Sequence, residues 1–180
     1  RRPDGSPIIT EEAIQEDRDS GMSEDMVQQE YYCSFDAAIV GAYYAKEIAA
    51  ARKDKRIGFV PIEPNLELHT FWDLGVSDHM CIWFIQAVGK EIRAVNYYEN
   101  NGEGMAHYIN YVKKFAQEHN VTLGEHYAPH DIEARELMSG KSRKDTAREM
   151  GIVFRTVPRV TNIADGIEAV RKIFPRVWFD

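Results

Sequence analysis

Cysteine is scarce in this chain: 180 residues hold only Cys33 and Cys81, outside any C-x-x-C spacing. That excludes a disulfide-stapled scaffold and fits two reduced thiols in a cytosolic protein. No run of about 18 apolar residues occurs, which excludes a membrane-spanning helix. Arg1-Arg2-Pro3-Asp4 leads into polar sequence and not into an apolar stretch, which argues against a signal peptide. An initiator Met is missing too, so a piece of a longer chain is expected. Neither an internal repeat nor a low-complexity tract is present. What remains, with 44% hydrophobic and 28% charged residues, is ordinary globular composition. The length suits one principal domain with a real core and an appended segment.

The net charge of −7 argues at first against a polyanionic partner. Its distribution argues the other way. Residues 1–36 hold ten Asp or Glu against three Lys or Arg, whereas residues 135–176 hold ten Lys or Arg against five acids. A polyanion meets a local face, so the regional sign matters more than the total.

Residues 1–36 read as an acidic, mostly helical stretch, with Thr10 as an N-cap and Ser23-Glu24-Asp25 opening a second turn. A small-residue helix follows from Ala37 to Ala51. Asp54 to Pro64 reads as a connector, and the domain division is expected at residue 60, giving segments 1–60 and 61–180. Beyond it, Leu68 to Asp73, Met80 to Ala87 and Glu91 to Tyr98 read as three antiparallel strands, the last two joined by Val88-Gly89-Lys90. Met105, Tyr108, Ile109, Val112 and Phe115 recur at helical spacing between Gly102 and His119. Then come a strand at Glu125–Ala128, a helix at Ser142–Met150, a strand at Ile152–Thr156 and a helix at Ile163–Phe174. Trp72, Trp83, Phe84, Tyr97 and Tyr98 fall on strands and are expected in the core.

The order β-β-β-α-β-α-β-α implies an α/β fold, a mixed sheet flanked by helices in the ribonuclease H-like arrangement, preceded by an N-terminal helical linker segment. In such a sheet the fourth strand lies beside the first and parallel to it, so acids at their ends come close. The candidates are Asp73 and Asp131. Hydrolysis of a phosphodiester needs an activated water and relief of charge on an anionic centre, which two divalent ions held by carboxylates supply. Asp73 suits a bridging role, since Leu74-Gly75 turns the backbone away, and Asp131 follows the stiff Pro129. Taken singly, an Asp at a strand end is more often a turn former or cap. Glu99, His130 and Asp165 are accessory candidates. For each there is a plainer reading: loop solvation for Glu99, a surface histidine for His130, a helix cap for Asp165. Asp78 is read as a cap or loop hydrogen-bonder. Gly140-Lys141-Ser142 is not a Walker A motif, because Arg135 stands where that motif needs glycine. Lys141, Arg143 and Lys144 are instead candidates for contacts to a DNA backbone.

Trp72-Asp73-Leu74-Gly75-Val76-Ser77-Asp78, Asn96-Tyr97-Tyr98-Glu99, Pro129-His130-Asp131 and Gly140-Lys141-Ser142-Arg143, in that order and spacing, resemble the large terminase subunit of tailed bacteriophages. Gln29-Glu30-Tyr31-Tyr32-Cys33-Ser34-Phe35 resembles the end of that family's packaging ATPase domain, and residues from about 66 resemble its C-terminal nuclease domain. The resemblance implies a metal-dependent endonuclease that cuts concatemeric double-stranded viral DNA, with two Mg or Mn ions at Asp73 and Asp131. It also implies the small terminase subunit and the portal protein as partners, and the procapsid in the host cytoplasm as the place of action. Two departures stand out. The family's third acid, on a later helix, has no counterpart before Asp180, and Asn96 stands where many members carry Asp. The ATPase motifs are absent, so ATP hydrolysis is not expected. The alternatives are a non-cleaving DNA- or partner-binding module and, from Asp73-Leu74-Gly75, the first phosphate loop of an actin- or sugar-kinase-like ATPase.

Overall fold

The computed structural model describes residues 11–22, 27, 42–75, 79–135 and 140–180. The chain divides into two compact units, 1–50 and 51–180. In the first, α1 (Glu11–Asp19) buries Ile14 and is closed by the Ser20 hydroxyl, which donates to the Asp17 carbonyl at 2.8 Å. A second helix, α2 (Ala45–Lys53), starts in this unit and runs across the division. Thr10, the Ser23–Asp25 turn and the expected helix start at Ala37 lie outside the described residues, as do Cys33, Asp78 and the segment 29–35.

The connector after α2 belongs to the second unit, where it runs along the C-terminal strand. Ile57 bridges Phe179, the Gly58 N–H donates to the Phe179 carbonyl at 2.8 Å, and the Val60 N–H donates to Asp180 Oδ1 at 2.8 Å. Arg56 is buried, and its guanidinium donates to the carbonyls of Phe174 at 2.9 Å and Val177 at 2.8 Å. Burying a guanidinium is tolerable only because these donors are satisfied.

The elements of this unit are β1 (Leu68–Asp73), β2 (Met80–Val88), β3 (Glu91–Asn100), α3 (Met105–Glu118), β4 (Leu123–Pro129), a 3-10 turn (His130–Glu133), α4 (Arg143–Glu149), β5 (Phe154–Val157), α5 (Ile163–Ile173), a second 3-10 turn (Phe174–Arg176) and β6 (Val177–Phe179). The sheet order is β5-β4-β1-β2-β3-β6, with β1 antiparallel to β2, β2 to β3, and parallel pairing elsewhere. This is the mixed sheet that the sequence leads one to expect, extended by β6 at the β3 edge. Gly89 takes φ +60° in the β2–β3 turn, the left-handed conformation a tight hairpin needs.

Alternation along the strands separates two faces. Leu68, Thr70 and Trp72 from β1, Ile82 and Phe84 from β2, and His126 and Ala128 from β4 are buried on one of them. Helix α3 brings Tyr108, Ile109, Val112 and Ala116 into the same core. Phe84 lies 4.7 Å from the Phe115 ring and Tyr98 stacks on Tyr111 at 3.7 Å. Each large side chain so buried contributes about 1.5–3 kcal/mol. The other face carries His69, Phe71 and Asp73, then Trp83 and Tyr97. Trp83 and Tyr97 therefore correct the expectation that all strand aromatics are core: each is 40% exposed, and Phe71 is 42% exposed. The register Tyr127–Phe71–Trp83–Tyr97 aligns four aromatics across four strands.

Candidate functional site

Strand β1 ends at Asp73 because Leu74 turns inward to a buried position and Gly75 frees the backbone. The strand's alternation puts Asp73 on the open face, exposed. Its partner across β2 is Cys81, and Cys81 in turn is opposite Glu99.

Strand β4 delivers the second acid. Phe71 is in register with Tyr127, so two residues further along each strand Asp73 is level with Pro129. Adjacent strands are about 4.8 Å apart, which sets the two acids at one edge of the sheet. Past Pro129 the chain enters the His130–Glu133 turn, pinned by the fully buried Ile132 and closed by the Ala134 N–H donating to the Asp131 carbonyl at 3.0 Å. Asp131 is about half exposed as a side chain, yet its Oδ1 is enclosed and lacks a hydrogen-bond partner among the described residues. His130 is exposed, with its Nδ1 3.9 Å from that oxygen. An enclosed carboxylate oxygen without a donor is costly to leave bare, and a cation is one way to satisfy it.

Glu99 shares the cross-sheet row with Asp73 but sits two strands away, and its Oε2 accepts the Tyr97 hydroxyl at 2.6 Å. Cys81 Sγ lies 3.1 Å from the same hydroxyl. These two contacts, Cys81 first and Glu99 second, push the Tyr97 phenol above its ordinary value. Asp165 is in the first turn of α5 and does not cap it: Asn162 does, its side chain accepting the Ala164 N–H at 3.0 Å. At its other end α5 leads through the Phe174–Arg176 turn to β6 at the β3 edge of the sheet. Among the described residues no three His, Cys, Asp or Glu side chains converge on one point as a ready metal cluster.

The basic segment is anchored beside the Asp131 turn. Arg135 bridges Ser142, and Ser142 caps α4 through a reciprocal pair with Asp145, its hydroxyl accepting the Asp145 N–H at 3.0 Å. That capping, together with Arg148 nearby, holds the Asp145 carboxyl below the usual range. Lys141 pairs with Glu149 at 2.6 Å, while Arg143 opens α4. Lys144 donates to Glu133 Oε1 at 2.7 Å and to Thr156 Oγ1 at 2.9 Å, and the Thr156 hydroxyl donates to the same Glu133 oxygen at 2.8 Å. Lys144 first and Thr156 second depress the Glu133 carboxyl. Sequence reasoning misses Glu133 and Thr156. Their signal is faint: an acid two residues past Asp131, and a hydroxyl level with Ala128 on the neighbouring strand.

Beneath the site runs a buried relay. The Trp72 indole N–H donates to Thr70 Oγ1 at 2.7 Å, and that oxygen lies 2.6 Å from His126 Nδ1. Burial first, and His69 second, lower His126 to about 4, so the ring is neutral at about pH 7.

No protein-family model and no curated protein matches the sequence. Solved structures do match the fold. The large terminase of a thermophilic bacteriophage superposes with a TM-score of 0.53 over 71% of this chain at 12% identity, and this chain spans about a third (32%) of its length. The same terminase in complex with ADP gives 0.55 over 95% of this chain and 41% of that one, at 12% identity. The nuclease domain of the P22 large terminase gives 0.50 over 67% of this chain and 64% of that domain, also at 12%. At such identity the likeness is one of architecture: the chain has the ribonuclease H-like fold found in phage large terminases and in the P22 terminase nuclease domain.

Proposed function

We propose that this chain is the nuclease part of a viral DNA-packaging terminase, with residues 1–60 as ATPase tail and linker, and that it hydrolyses phosphodiester bonds of double-stranded DNA. The observation that carries the reading is the enclosed Oδ1 of Asp131, unsatisfied among the described residues, at the sheet edge where β1 also ends in Asp73. Two carboxylates, one with an unsatisfied oxygen, suit a hard divalent ion, Mg or Mn, better than a soft one. Asp73 and Asp131 would hold the ions, whose chemistry is to lower the pKa of a bound water and offset charge at phosphorus. His130 stands beside Asp131 to orient a ligand or water.

Arg143 and Lys141 would hold the DNA backbone, Lys141 by releasing Glu149. Lys144 would have to abandon both Glu133 and Thr156 to do so. The small terminase subunit and the portal would be the protein partners, and the host cytoplasm at the procapsid the place. Plasmid nicking in Mn²⁺, Mg²⁺ and EDTA tests the activity: cutting abolished by EDTA, by Asp73→Ala and by Asp131→Ala is expected. Cutting that survives Asp73→Ala removes that residue from the mechanism. One observation favours the second reading, a non-cleaving DNA-binding module: no third acid joins the pair among the described residues. Its mark is salt-sensitive DNA binding indifferent to Mn²⁺.

A further inference from the structure

Three side chains from three elements meet at one carboxylate oxygen next to the candidate metal site. Glu133 ends the 3-10 turn that begins at His130, Lys144 belongs to the first turn of α4, and Thr156 lies near the end of β5. Glu133 Oε1 accepts from Lys144 Nζ at 2.7 Å and from Thr156 Oγ1 at 2.8 Å, and the Lys144–Thr156 distance of 2.9 Å closes the ring. Thr156 is in register with Ala128 on β4, one residue before Pro129, so the ring spans the point where β4 gives way to the turn. The turn has a buried anchor in Ile132 and a backbone closure at Ala134, and both fix the main chain. Among the described residues, the ring is what ties the turn's last side chain to two neighbouring elements.

We propose that Glu133, Lys144 and Thr156 are positioning residues that set the orientation of the Asp131 carboxylate, and that Lys144 does this in place of gripping DNA. The inference rests on the reading of Asp131 as an ion-holding residue. Ligands of a bound ion work only when aimed within a fraction of an ångström, and the groups that aim them weigh heavily on affinity although they never touch the ion. A surface ion pair contributes little to global stability, so the effect should separate cleanly from folding.

The test is Mn²⁺ binding by the full 180-residue chain, read from loss of the free-ion EPR signal, alongside thermal melting and DNA affinity across a salt series. Wild type and Asp131→Asn define the range. Glu133→Gln, Lys144→Met and the near-isosteric Thr156→Val should each weaken Mn²⁺ binding, about tenfold for the first two, with melting temperature nearly unchanged. The Glu133→Gln/Lys144→Met double variant should be no worse than either single change, since both break one ring. Lys144→Arg, which keeps donors for both partners, should bind nearly as wild type. The slope of log affinity for DNA against log salt should be the same in Lys144→Met as in wild type. Wild-type Mn²⁺ affinity in the three single variants would overturn the brace. A salt slope shallower by about 1 in Lys144→Met with Mn²⁺ affinity retained would make Lys144 a phosphate contact and also overturn it. If wild type binds no more Mn²⁺ than Asp131→Asn, the ion-holding role of Asp131 fails, and the brace falls with it.

Discussion

Phe71 and Tyr127 stack, ring centroids 4.8 Å apart and planes 10° from parallel, across the parallel pair β1–β4. The stack sits two residues before Asp73 on one strand and two before Pro129 on the other. It therefore clamps the register that sets the two candidate acids at one edge. Phe71→Ala should cost about 1 kcal/mol beyond the lost burial, since offset aromatic pairs contribute about 0.5–1.5 kcal/mol. Urea unfolding midpoints for Phe71→Ala, Tyr127→Ala and the double variant measure it. Strict additivity of the two single changes would show that the rings do not couple.

The neutral His126 makes stability depend on pH in a stated direction. Its folded pKa of about 4 lies below the ordinary value of 6.5 that the unfolded chain retains. Between those values the unfolded state binds the extra proton, so stability is full above about 6.5 and declines as pH falls towards 4. With both states protonated below that, the decline levels off. The span corresponds to about 3 kcal/mol at most. Denaturation midpoints from about pH 7.5 to about pH 4 should show this loss, and His126→Gln should flatten it; an identical slope in the variant would assign the loss to other groups.

Gln86 is fully buried and satisfied at both ends of its amide. Its Oε1 accepts the Glu63 N–H at 2.8 Å, and its Nε2 donates to the carbonyls of Glu63 at 2.9 Å and Leu66 at 3.1 Å. The side chain thus stands in for a strand pairing partner of the 63–66 segment that enters β1. Gln86→Leu keeps the volume but strands the Glu63 N–H and the Leu66 carbonyl, while the Glu63 carbonyl keeps the Leu66 N–H, and should cost about 1–3 kcal/mol. Hydrogen exchange at the Glu63 amide should accelerate in the variant; protection equal to wild type would show that another group holds the segment.

The proposed grip of Arg143 on the DNA backbone has a quantitative signature. Arg143→Ala should weaken DNA binding evenly across sequences and make the salt slope shallower by about 1. Loss of affinity for one sequence alone, at constant slope, would mean that Arg143 reads bases.

Much of this architecture is legible in the sequence because its strands punctuate clearly. The Val88-Gly89-Lys90 turn separates two apolar runs, and the helical spacing of Tyr108, Ile109 and Val112 has one solution. Strand β6 escapes a sequence reading because Val177-Trp178-Phe179 is short and pairs with a strand far earlier in the chain, at Ile92–Ala94. The facing of Trp83 and Tyr97 is illegible for a different reason. Cys81-Ile82-Trp83-Phe84-Ile85 is apolar throughout, and a run without alternation does not say which side is covered. Asp73 and Asp131 can be paired from strand order alone, whereas Glu133 and Thr156 cannot. Their meeting with Lys144 depends on where a four-residue turn points, and no periodicity encodes that.

The most direct measurement of the central claim is anomalous scattering from crystals soaked in Mn²⁺. The account predicts a peak bonded to Asp131 Oδ1 and within reach of Asp73, absent in Asp131→Asn. A well-ordered crystal with no peak at Asp131, or with Mn²⁺ bound at acids elsewhere on the surface, would contradict it.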